Sequence, residues 1–181
     1  MLRRRVLLDR LTVEGRDEAD LPVRVTRILM SEEAVYGLIL ISGMIVVSNS
    51  IVGTSANALA TVVVTVLVFF AAHVYAGTLA RLAAAERHEV RRSFLAALHH
   101  SEGMLLVAVL PIAILTLGVT RFVDDELAIW SALLADTLML AVLGWVAVAK
   151  WTTNVWLRLG SALITAGFGA AITALKAFIH H

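Results

Sequence analysis

Residues 127–149 read LAIWSALLADTLMLAVLGWVAVA, a run of about 23 residues with one charged side chain, Asp136. At 1.5 Å per residue it covers about 34 Å, against a hydrocarbon core about 30 Å thick. In hydrocarbon every backbone N–H and C=O needs an internal partner, so such a run is a helix. Four further runs have the same character: 34–52, 58–82, 103–120 and 155–178. The third carries Pro111, which removes a backbone donor and predicts a kink. The pattern predicts an all-α polytopic bundle of five transmembrane helices.

Composition agrees. The chain of 181 residues is 60% hydrophobic, above the roughly 45–50% of soluble domains. Its mean hydropathy is +0.87. A net charge of +1 gives no bulk basic character for nucleic acid. The absence of cysteine excludes disulfides, thiolate metal sites and cysteine nucleophiles. No phosphate loop, G-x-S-x-G or H-E-x-x-H motif occurs, so nothing suggests an enzyme or a cofactor.

The first stretch, MLRRRVLLDRLTVEGRDEADL, is too charged for the apolar core of a secretory signal. Residues 1–30 read as a cytoplasmic arm, either an interfacial helix on the stripe of Leu2, Val6, Leu7 and Leu11 or a disordered segment. Residues 31–181 read as the membrane domain. Ser31 is placed to cap the first helix, with Glu32 and Glu33 in its positive first turn. No Gly or Pro falls between the second run and Gly103, which predicts that the second helix continues as an amphipathic cytoplasmic segment over about 83–102. The terminal His180 and His181 are assigned no function.

Lysine and arginine placement predicts orientation. Arg3, Arg4, Arg5, Arg10, Arg16, Arg24 and Arg27 precede the first helix. Arg81, Arg87, Arg91 and Arg92 follow the second, and Lys150 and Arg158 follow the fourth. Only Arg121 and Lys176 fall at the other end, with Asp124, Asp125 and Glu126. This predicts N-in, C-out topology in the cell membrane.

Asp136 lies about 13 Å into its helix, near the bilayer midplane. A carboxylate there costs about 2.5–3.5 kcal/mol on the lenient insertion scale. It must face the bundle interior, carry a proton, or both. It suits a proton or cation relay; the competing reading is a hydrogen-bonded acid that holds helices together. A second cluster is expected at the inner ends of the first two helices, where Tyr36, His73 and Tyr75 share a depth just above Glu32 and Glu33. It reads either as the gate of a pathway or as a buried histidine among interfacial tyrosines. Asn49, beside Ser48 and Ser50, sits where an outer entrance would be; the competing reading is hydrogen bonding between helices or contact with headgroups. Glu86, His88, Glu89, His99, His100 and Glu102 are of ligating types and form a weak metal candidate, which Arg87, Arg91 and Arg92 oppose. Ala162, Ala166, Ala170 and Ala174 recur at i+4 beside Gly167 and predict a close-packing face, within the bundle or between protomers. Expected partners are the lipid bilayer, a second copy of the chain, and a protein held through the last helix or the basic arm.

The stretches VYGLILISGMI, VLVFFAAHVYAGTLA and ALKAFIH resemble small, mainly actinobacterial, integral membrane proteins of unassigned function. That resemblance implies the architecture and no mechanism. A weaker likeness of layout is to the vacuolar iron transporter family, which implies five helices, an N-in topology, a dimer and iron as cargo. YGLILISG stands where that family has an acidic-glycine motif, and AAHVYAG where it has a methionine-bearing stretch. Here the first helix has no carboxylate in its membrane core, and no methionine lies near His73. The leading expectation is an oligomeric transporter or channel for a proton or small cation; the alternative is a non-transporting subunit, assembly factor or scaffold.

Overall fold

The computed structural model describes residues 29, 31–51, 53–84 and 90–179. They form five helices, each long and apolar enough to cross a membrane: α1 (Glu32–Ile51), α2 (Ser55–Ala84), α3 (Val90–Val119), α4 (Asp125–Ala149) and α5 (Val155–Ile179). No strand occurs among the described residues.

The helix starts follow local chemistry. The Ala34 N–H donates to Ser31 Oγ at 3.2 Å, the cap expected from sequence. Asn154 caps α5 by accepting from the Trp156 N–H at 3.0 Å. At the start of α2, the Ser55 N–H donates at 2.9 Å to Asp125 Oδ1, a side chain from α4. That bond fastens the α1–α2 turn to the α3–α4 turn, and the two turns share one end of the bundle. We call this the acidic end. The opposite, basic end carries Arg81, Arg91, Arg92, Lys150 and Arg158. There Arg158 donates from Nε at 2.8 Å and from Nη2 at 2.6 Å to Thr152 O, closing the α4–α5 turn.

Chain order alternates up and down, giving two antiparallel hairpins, α2–α3 and α4–α5, that share α1 as a strut. Half of the α1 span is buried, against 11% of the α5 span, so α1 is central and α5 peripheral. Helices approach where side chains are small. A Cβ on Gly37 of α1 would meet Met104 Cγ and Val107 Cγ2 of α3 at 3.2 Å. A Cβ on Gly144 of α4 would meet Ser161 O of α5 at 2.7 Å. Across that α4–α5 seam Thr165 Oγ1 donates to Leu140 O at 2.8 Å. Within the single chain the last helix packs only part of its alanine stripe. Ala162 is buried and Ala166 half-buried, but Ala170, Ala174 and Gly167 are exposed. A second close α5 contact runs through Gly169, where a Cβ would lie 2.8 Å from Thr137 Oγ1.

The stretch expected to prolong the second helix along the membrane surface is placed differently. Residues 90–102 are the first turns of α3, continuous through Pro111 to Val119. Packing explains it: Ala97 is fully buried, and a Cβ on Gly77 of α2 would lie 3.3 Å from its Cβ. The segment packs against α2. α3 also has the length of a full span. The N-terminal arm, residues 85–89 and the terminal histidines lie outside the described residues.

Candidate functional site: a buried carboxyl between two helices

Asp136 is completely buried where α4 crosses α1. Its sequence neighbours Ala132, Leu133 and Leu140 are buried on the same face of α4. Ser42 Oγ of α1 donates to Asp136 Oδ2 at 3.0 Å. The other carboxyl oxygen, Oδ1, is buried with no hydrogen-bond partner among the described residues. Buried polar atoms are nearly always paired, so an orphaned carboxyl oxygen at this depth requires an explanation.

Apolar layers lie on both sides of the carboxyl. Toward the basic end, Ala34, Leu38, Val107, Leu140 and Leu143 form one cluster. Toward the acidic end, Ile41, Ile45, Ala58, Val62, Leu115 and Ile129 belong to a larger one. Polar side chains cross the second layer on α1: Ser42 and Asn49 are seven residues apart, hence on one face, and both are buried. Thr61 Oγ1 of α2 donates to the neighbouring Ser48 Oγ at 3.4 Å.

A second buried carboxylate closes the basic end. Glu33 Oε1 lies 2.8 Å from His100 Nε2 of α3, and Glu33 Oε2 is buried without a partner among the described residues. The first-turn glutamates therefore separate: Glu32 is exposed, whereas Glu33 turns inward. Sequence did not pair Glu33 with His100, because that needs the relative register of α1 and α3. The nearest signal was Gly37, one turn on, which lets α3 approach.

The other predicted residues are not gathered here. Tyr36 and Tyr75, 57% and 66% exposed, lie on the outer surface of the bundle. His73 Nδ1 is 3.0 Å from Phe69 O of its own helix, and its ring lies beside the Phe69 ring. His99 pairs with Glu102 of its own helix at 2.6 Å and is exposed. Glu86, His88 and Glu89 lie outside the described residues. Among the described residues, no group of three His, Asp or Glu converges to hold a metal ion.

Family models, curated proteins and solved structures were compared with the chain, and none matches.

Proposed function

We propose that this chain is a multi-pass transport protein of the cell membrane, N-terminus cytoplasmic, that moves a proton or small cation by way of Asp136. The observation that carries the reading is the orphaned Oδ1. Oδ2 is held by Ser42, and a purely structural acid would have both oxygens satisfied or be replaced by an apolar residue of similar size. A group that takes up and releases a cation must keep one lone pair uncommitted. The buried Ser42, Ser48 and Asn49 of α1 lead from the carboxyl toward the acidic end, and Glu33 with His100 stands at the basic end. Transit requires the apolar layer around Leu38 and Leu140 to part. We further propose a homo-oligomer and no enzymatic activity.

The test is flux in proteoliposomes under imposed proton, K⁺ and Fe²⁺ gradients. Wild type should carry one of them, Asp136→Asn should fall to background, and Ser42→Ala should alter the rate while the protein stays folded. Background flux for wild type with every ion sinks the reading.

A second reading has its own observation. Asp136 is sealed at zero exposure between apolar clusters. On that basis the carboxyl joins α1 to α4 within a non-transporting membrane subunit. Asp136→Leu combined with Ser42→Ala separates the two: a scaffold keeps its stability and its partners, whereas a transporter loses flux.

A further inference from the structure

The α2–α3 hairpin carries a groove of about 300 Å³ on its outer surface, lined by Phe70, Ala71, Val74 and Thr78 of α2 and by Phe94 and Leu98 of α3. The Gly77–Ala97 contact sets the register of the two helices. On α2, Arg81 lies three residues beyond Thr78 on the same face; on α3, Arg91 lies three residues before Phe94 on the same face. Both arginines therefore stand at one end of an otherwise apolar trough. Arg81 folds back and donates from Nη1 to Gly77 O at 3.0 Å, which brings its guanidinium level with the end of the groove.

We infer that this groove binds one anionic phospholipid, an acyl chain lying along Phe70, Val74 and Leu98 and the phosphate between Arg81 and Arg91. Dimensions and charge both fit. From Phe70 to Thr78 the trough runs about 12 Å, close to the depth of one leaflet's hydrocarbon. The cations stand at its end, where a headgroup phosphate lies. Residues 81–92 hold Arg81, Arg87, Arg91 and Arg92 against Glu86 and Glu89, so the region is net positive. Guanidinium forks match phosphate geometry and attract anionic headgroups, which a zwitterionic lipid does not reward.

The test titrates the detergent-purified full chain with phosphatidylglycerol or phosphatidylcholine of identical acyl chains. Bound lipid is read by native mass spectrometry and thermal unfolding. Phosphatidylglycerol should bind at one per chain and raise the midpoint; phosphatidylcholine and inorganic phosphate should do neither. Arg91→Gln and Arg81→Gln should each weaken retention about fivefold. Ala71→Phe, which fills the groove, should abolish it, and Lys150→Gln, a cation elsewhere at the same end, should leave it unchanged. Arg91 is exposed, so its variant keeps the fold. Equal retention of both lipids, full retention by Arg91→Gln, an equal response to inorganic phosphate, or a dimer that Ala71→Phe dissociates overturns the inference.

Discussion

Ser42 and Asp136 are 94 residues apart in sequence and joined by a 3.0 Å hydrogen bond in the middle of the bundle. It is a side-chain link between α1 and α4, and it satisfies only half of the carboxyl. Replacing Ser42 by Ala leaves both oxygens unpaired, which should lower stability by about 1–3 kcal/mol. Replacing both residues by apolar ones of similar shape should recover most of that loss. A double-mutant cycle in detergent, read by thermal or SDS unfolding, checks it. Additive losses would show that the hydroxyl and the carboxyl act independently.

The two histidines at the basic end should differ sharply. His100 meets a buried glutamate, whereas His99 meets the half-exposed Glu102 within its own helix. His100→Ala strands the Glu33 carboxylate and should cost about 1–3 kcal/mol. His99→Ala should fall within the 0–1 kcal/mol of a surface pair. Comparing their unfolding midpoints decides it; equal losses would show that burial of Glu33 does not matter.

Arg121 has φ 60°, a left-handed conformation in a side-chain-bearing residue. It ends α3: its N–H donates to Gly118 O at 3.0 Å and the Phe122 N–H to Leu117 O at 3.1 Å, the bonding of a Schellman turn. Glycine is relieved of the Cβ strain in that position. Arg121→Gly should therefore stabilise the fold by about 0.5–1 kcal/mol, measured as a rise in midpoint.

Two glycines give opposite forecasts. Gly144→Ala must displace the α5 backbone at Ser161, so it should loosen the α4–α5 hairpin by about 1–3 kcal/mol. Gly167 has open space around its Cβ position, and Gly167→Ala should gain up to about 1 kcal/mol from helix propensity. If Gly167→Ala destabilises the protein in membranes but not as a detergent monomer, α5 meets another chain through that face.

Depth was legible in the sequence; azimuth was not. The limits of each apolar run state how far along its helix a position lies, as for Glu33 in the first turn of α1 and Asp136 in the middle of α4. In a membrane helix both the lipid-facing and the protein-facing sides are apolar, so the periodicity that orients a soluble helix vanishes. Tyr36 and Tyr75 lie on the first and second helices, as the sequence predicts, and point outward. Ser42 was not singled out because a lone serine in an apolar helix carries no directional signal. The start of α3 was obscured for a related reason: no Gly or Pro lies between Ala84 and Val90, and packing of Ala97 against Gly77 assigns those turns to the third helix.

The strut position of α1 has a consequence for biosynthesis. Its Ser42 must wait for a partner in α4, 94 residues further along the chain. At roughly 5–20 residues per second that is an interval of about 5–20 seconds. Glu33 waits a shorter time, because His100 is made before Asp136. The central helix thus carries the side chain that waits longest for its final neighbour: Ser55 of α2 meets Asp125 after only 70 residues.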